Sequence, residues 1–198
     1  MLVSRGVDLV VSDDGLQHYR LPRTVEIAVV DARRGLGNGH CLPLGPLREP
    51  SSRLASVDFV VGNGGDAGIG AVPMRLEPTV FRRLRSPEES LSPAEFVARH
   101  KDECMVAVAG IGDPSRFFDT LRALGLAVDG RPFPDHHAYT ADDFAPLAGR
   151  TLLMTAKDAV KCASLPGLEE AWYLDIEARL PPGFVDTVLA RAGVGGNA

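Results

Sequence analysis

Lysine is scarce in this chain. Of 21 basic residues only Lys101, Lys157 and Lys161 are lysines, and none of the three follows a glycine. Residues 1–198 therefore hold no Gly-Lys-Ser/Thr phosphate loop, the glycine-rich element whose backbone N–H groups cradle nucleotide phosphates. Cysteine is scarce too: Cys41, Cys104 and Cys162 stand far apart and are odd in number. That spacing offers no disulfide framework and no structural metal site, and it points to reduced thiols in a cytoplasmic compartment. No run approaches the ~18–20 apolar residues that span a bilayer. Met1-Leu-Val-Ser-Arg does not read as a secretory leader, because Asp8 interrupts the apolar stretch almost at once. A formal net charge of -5 lacks the basic excess of a general nucleic-acid binder, so no nucleic-acid partner is expected. Gly35-x-Gly37-x-Gly39 has the wrong spacing for a dinucleotide fingerprint. No internal repeat is found, and low complexity is confined to the glycine-rich tail 193–197.

What is there fits an α/β protein. Apolar residues make up 45% of the chain and charged residues 24%, enough for sizeable cores. Short apolar runs at about 7–12, 26–31 and 57–62 read as strands joined by long Gly/Pro-rich connections. The loop 32–53 is the longest, and loops of that length are usually functional or disordered. Residues 84–104 are rich in charge, Ser and Pro and read as a linker or peripheral helix. Beyond them come strands at 105–109, near 126–129, at 151–155 and near 172–176. Helices alternate with them at about 115–124, from Thr140, and at 183–192. Pro114 suits the first helical turn and Gly125 the stop. Thr140 and Asp143 approximate a capping box. Strands alternating with helices imply a parallel-type sheet. The expected organisation is one lobe at 1–83, a linker at 84–104 and a second α/β lobe at 105–198.

The stretch Val7-Asp-Leu-Val-Val-Ser-Asp13-Asp14-Gly15-Leu16-Gln17-His18 concentrates the chemistry. A Val/Leu run bounded by turn residues predicts a strand buried on both faces of a parallel sheet. Ligand crevices lie just beyond the carboxyl ends of such strands. Two adjacent carboxylates there repel unless a cation sits nearby. One reading is a Walker-B-type element that helps hold Mg²⁺ on nucleotide phosphates. The other is a solvated Asp-Asp-Gly turn.

Three blocks in residues 13–54 read DDGLQHYRL, EIAVVDARRGLGNG and LPLGPLREPSSRL. AGIGDPSRFFDTLRALG, FPDHHAY and MTAKDAVKC follow in the second half. In content and order these resemble the tetraacyldisaccharide 4'-kinase family of lipid A biosynthesis, from about residue 7 to about residue 180. The resemblance implies the remainder of a P-loop-kinase-like parallel-sheet lobe plus a second, smaller α/β lobe. It also implies transfer of the ATP γ-phosphoryl group to the 4'-hydroxyl of a lipid-linked glucosamine disaccharide 1-phosphate. The cofactors implied are ATP and Mg²⁺, and the location is the cytoplasmic face of the bacterial inner membrane, with peripheral contact. In the family the phosphate loop and a proposed general base lie upstream of the Asp-Asp-Gly element, so the chain resembles the carboxyl-terminal part of such a kinase.

By that resemblance Asp13, Asp14 and Glu49 are the metal candidates, and Asp13, Arg48 and His136 the catalytic ones. Gln17, His18 and Arg48 are the nucleotide-binding candidates. Arginine suits phosphate because its planar fork stays charged when partly desolvated. Histidine suits proton handling because small shifts move its pKa across neutrality. For Arg48-Glu49 a loop-stabilising pair is the competing reading, and for Gln17 and His18 a capping role. Arg33 and Arg34 are either anion-binding or surface residues. Lys157-Asp158, after the 151–155 strand, reaches toward a cleft between lobes, although Ala156 replaces the family's usual acid before the lysine. A non-catalytic binding module that retains the fold is the alternative function.

Overall fold

A computed structural model describes residues 6–194; Met1-Leu-Val-Ser-Arg and the end of the glycine-rich tail, 195–198, lie outside the described residues. The chain forms two compact units, one made of Met1–Leu76 with Ala178–Ala198, the other of the unbroken stretch Glu77–Glu177.

In the first unit, β1 (Ile27–Asp31) pairs in parallel with β2 (Phe59–Asn63), which pairs in parallel with the start of β3 (Val72–Arg83). The core is thin: Ala28, Val30, Val61 and Ala71 are its buried apolar members. The helix α5 (Phe184–Arg191) sets Phe184 edge-on to Phe59, with ring centroids 5.3 Å apart. Arg191 Nε meets Asp58 Oδ1 at 3.0 Å. Between β1 and β2 the long loop is ordered by turns, an isolated bridge from Cys41 to Leu47 and a 3-10 helix at Ser51–Ser56.

The strand expected at 7–12 is not formed. These residues are irregular, with Val10 64% and Val11 84% exposed. A strand exists by its ladder, and among the described residues no neighbour pairs with 7–12. An apolar run without a partner strand buries neither face.

In the second unit the sheet order is β3, β8 (Ala171–Arg179), β7 (Leu152–Thr155), β5 (Cys104–Ala109), β6 (Ala127–Pro132), with β4 (Ser90–Leu91) antiparallel to β3. The β8–β7–β5–β6 ladders are parallel. Alternation along β5 sorts the two cores. Met105, Ala107 and Ala109 join Phe96, Phe117, Phe118, Leu121 and Trp172 on one face. Val106 and Val108 join Tyr139, Phe144, Met154 and Cys162 on the other. Helices α1 (Pro93–Arg99) and α2 (Pro114–Ala123) cover the first face; α3 (Ala141–Phe144) and α4 (Ala156–Cys162) cover the second. Both faces are covered, as parallel sheets require.

Residues 84–104, expected as a linker or a peripheral helix, are part of this unit and hold a helix packed on its core. They contain β4 and α1, and Phe96 on α1 is fully buried, stacked 3.9 Å from Phe81. The polar residues that suggested a linker are the solvent face and cap of a short amphipathic helix, with Ser92 and Glu95 forming a capping box. The unit boundary accordingly falls within β3, at Leu76 and Glu77, rather than after residue 83.

Candidate functional site

In the first unit the carboxyl end of β1 opens on a cavity of about 260 Å³. Ala28, Val30 and Asp31 of β1 line it, with Leu16, Gln17 and the Arg48-Glu49 dipeptide. The position agrees with the strand-end rule, but the strand is β1 and not the one expected at 7–12. Asp31 caps the turn that follows. Its Oδ1 accepts the backbone N–H of Arg33 at 2.9 Å and of Arg34 at 3.3 Å. Both arginines stand exposed beyond β1.

Asp14 and Arg48, 34 residues apart, meet here: Arg48 Nη1 lies 3.2 Å from Asp14 Oδ1 and 3.1 Å from Oδ2. One nitrogen serves both oxygens, so the pair is not a bidentate fork. Asp14 sits in a left-handed turn at φ 49, a conformation that Asp tolerates better than most residues. Asp13 is exposed beside it. Gln17 lines the cavity, whereas His18 is exposed and its backbone N–H closes the turn on the Gly15 carbonyl at 3.0 Å.

Glu49, expected as a metal ligand, lines this cavity. The Tyr19 hydroxyl, then Gln17 and the Arg53 and Arg23 charges, hold its carboxyl below the usual range. Arg53 Nε lies 3.3 Å from its Oε2, and Arg53 Nη2 also reaches Glu26 Oε2 at 2.8 Å. Glu49 Oε2, so engaged, braces the loop wall, whereas Oε1 is buried with no hydrogen-bond partner. No group of three His, Cys, Asp or Glu among the described residues could hold a metal ion. Mg²⁺ needs only one or two protein carboxylates alongside phosphate oxygens, so Asp13, Asp14 and Glu49 all stay suited to it.

In the second unit a cavity of about 200 Å³ is lined by Gly110, Ile111, Gly112, Asp135, His136, Lys157 and Lys161. His136 is at φ 59, and its backbone N–H donates to Asp135 Oδ1 at 3.0 Å. Its imidazole is exposed, with Nε2 3.8 Å from Asp135 Oδ2. Asp14, Ala67 and His136 are the non-glycine residues with positive φ among those described. Backbone conformations of this kind cluster at functional sites.

Behind that cavity lies Asp158, 0% exposed. Its Oδ2 accepts Gly110 N–H at 3.1 Å and the Thr155 hydroxyl at 2.7 Å, and Oδ1 lies 3.4 Å from Lys161 Nζ. A Cβ on Gly110 would sit 2.7 Å from the Tyr139 hydroxyl, so only glycine lets this turn approach so closely. Burial and the Asp158 charge push the Tyr139 phenol well above its ordinary value. Burial likewise pushes the Cys162 thiol up to about 12. Sequence reasoning missed Asp31, Tyr139 and the burial of Asp158. Asp31 was findable: it ends an apolar run just as Asp13 does.

The class these features define is a parallel α/β protein with candidate ligand cavities beyond its strand ends. The chain belongs to the LpxK family, tetraacyldisaccharide-1-P 4'-kinase, whose model matches residues 1–193. Among similar curated proteins, a tetraacyldisaccharide 4'-kinase of Alcanivorax borkumensis is 52% identical over 186 residues, 93% of this chain and 55% of the relative. One from Methylobacillus flagellatus is 48% identical over 184 residues, 93% of this chain and 53% of the relative. The chain thus spans about half the length of the curated relatives it matches. A crystal structure of LpxK from Aquifex aeolicus in complex with ATP matches with a TM-score of 0.63 and 26% identity, covering 89% of this chain and 55% of that one.

Proposed function

We propose that the chain contributes part of the active site of an ATP-dependent kinase acting on the 4'-hydroxyl of a tetraacylated glucosamine disaccharide 1-phosphate. The observation that carries this reading is the Asp14–Arg48 pair at the β1 cavity, two family-motif residues brought within 3.1 Å from 34 positions apart. Phosphoryl transfer rests on positioning and on stabilising charge over the moving group. Arg48 supplies a cation for phosphate oxygens. Asp13, Asp14 and Glu49 are the acids this chain would offer to Mg²⁺, which supplies charge neutralisation at the phosphates when bound. His136, exposed on a tight turn with Asp135, supplies a proton-handling group. The grip on the β- and γ-phosphates is not in residues 1–198, which have no Gly-Lys-Ser/Thr loop. The acceptor is a lipid, so the working location proposed is the cytoplasmic face of the inner membrane, reached peripherally. No helix among the described residues is long and apolar enough to cross a membrane.

The test is transfer of labelled phosphate from Mg-ATP to the lipid disaccharide. Residues 1–198 alone are expected to give no turnover. The same residues joined to the leading half of the Alcanivorax borkumensis relative are expected to turn over. In that fusion Asp14→Asn and His136→Ala should each cost roughly 100-fold or more, the scale of a lost acid–base or charge-stabilising group. Fusion variants that match their parent would remove the reading.

A further inference from the structure

Two of the chain's three lysines, Lys157 and Lys161, line one small cavity. Elsewhere the sequence meets its need for positive charge almost entirely with arginine. The two ammonium groups stand one helical turn apart on α4, so both project on the same side. Opposite them lie the 110–112 turn and His136. An ammonium is a compact point charge with three donors, suited to a tetrahedral oxyanion.

The surrounding charges are arranged to hold these groups in place. Lys161 is oriented from behind by the fully buried Asp158, whose Oδ1 lies 3.4 Å from Nζ, and by the Tyr139 ring, 5.7 Å from Nζ to the centroid. Asp158 is not among the lining residues. Asp135 is, and its carboxylate is shared between its own loop, on the His136 N–H at 3.0 Å and the His136 ring at 3.8 Å, and the cavity wall beside Gly112. The lining thus carries two ammonium groups against one carboxylate. A Cβ on Gly112 would make only ordinary contact, with Asp135 Oδ2 at 3.7 Å, so a larger side chain can be introduced there.

We propose that the cavity between α4 and the 110–112 turn binds a phosphate group, with Lys157 and Lys161 as its cationic contacts. Two sources share that chemistry: the phosphoanhydride tail of a nucleotide and the sugar 1-phosphate of the acceptor. Assigning this phosphate to a reaction rests on the kinase reading above; the binding itself does not.

The test is an amide-resolved NMR titration of residues 1–198 with inorganic pyrophosphate and, separately, with glucosamine 1-phosphate, at constant ionic strength against chloride. Saturable shifts are expected at Gly110, Ile111, Gly112, His136, Lys157 and Lys161. Lys157→Ala, an exposed position whose loss spares the core, should weaken binding about tenfold. Gly112→Val should fill the cavity and abolish binding while leaving the remaining spectrum dispersed. A preference for pyrophosphate assigns the nucleotide tail, and a preference for glucosamine 1-phosphate assigns the acceptor. Shifts no larger than those from chloride, or unchanged affinity in both variants, would overturn the proposal. Failure of the kinase reading shows separately, as absent phosphate transfer by the fusion protein with this titration unchanged.

Discussion

Asp158 and Asp14 are both carboxylates facing a cation, yet breaking their pairs should have very unequal consequences for stability. Asp158 is 0% exposed and satisfies donors from three places in the chain, Gly110, Thr155 and Lys161. Truncating one partner of a buried network strands the others in a low-dielectric interior, at a cost of about 3–5 kcal/mol. The Asp14–Arg48 pair has side chains 74% and 62% exposed, where such pairs contribute at most about 1 kcal/mol. Denaturant unfolding of Asp158→Ala and Arg48→Ala should therefore separate cleanly, with a large loss for the first and almost none for the second. Comparable losses would show that burial does not govern these pairs. Asp143 gives a pH-dependent counterpart. The Thr140 backbone N–H, then His137, holds its carboxyl below the ordinary range. A group whose folded pKa is depressed contributes stability that is complete above its unfolded value of about 3.9 and disappears as pH falls through the folded one. Melting temperatures of the parent should thus fall below about pH 4, and Asp143→Asn should lose less than the parent over that range. The same contrast explains what could be read from residues alone. The Thr140 and Asp143 spacing announces its cap, because capping is local. The burial of Asp158 has no local mark, since an acid three residues after Thr155 looks like any first-turn helix acid until Gly110 arrives from 48 residues away.

Elements with a strong local period were legible, and those defined by distant partners were not. The run at 105–109 and the helix following Pro114 lie where their patterns put them, as β5 and α2. β3 escaped because two prolines and three arginines break its alternation, although Phe81 at its end is 0% exposed. Residues 7–12 failed in the reverse direction: the composition is that of a buried strand, but no ladder receives it. The same dependence is testable on α1, a helix of only 7 residues. Helices that short are marginal on their own, so the cap and the packing must both hold. Ser92 accepts from Glu95 N–H at 3.3 Å, and Glu95 Oε2 accepts Ser92 N–H at 2.8 Å. Ser92→Ala should cost about 1 kcal/mol through the lost cap. Phe96→Ala should cost about 3–5 kcal/mol, because it empties a site between Phe81 and Trp172. Chemical denaturation of the two variants checks the ratio; equal effects would mean that α1 is not held chiefly by Phe96.

At the level of the whole molecule, one unit is a single stretch of chain and the other is two pieces joined through it. Glu77–Glu177 has both hydrophobic clusters to itself, including Trp172 and Phe81, whereas the first unit's buried apolar set is small. Residues 77–177 expressed alone should fold cooperatively, with dispersed amide spectra and a single melting transition. A molten spectrum would show that the stretch needs the rest of the chain. The two ends of that stretch run side by side, with the Thr79 hydroxyl 3.2 Å from the Asp175 carbonyl and Arg82 Nε 2.8 Å from the Asp175 carboxylate. A segment that leaves and re-enters its host at adjoining points behaves as a cassette. It can be exchanged between relatives, closed into a ring by a short peptide, or reopened at one of its own loops without retracing the host's path. His136 and both cavity lysines travel inside it, while Asp14 and Arg48 stay behind, so a graft would inherit one half of the chemistry and could be used to ask what that half does alone.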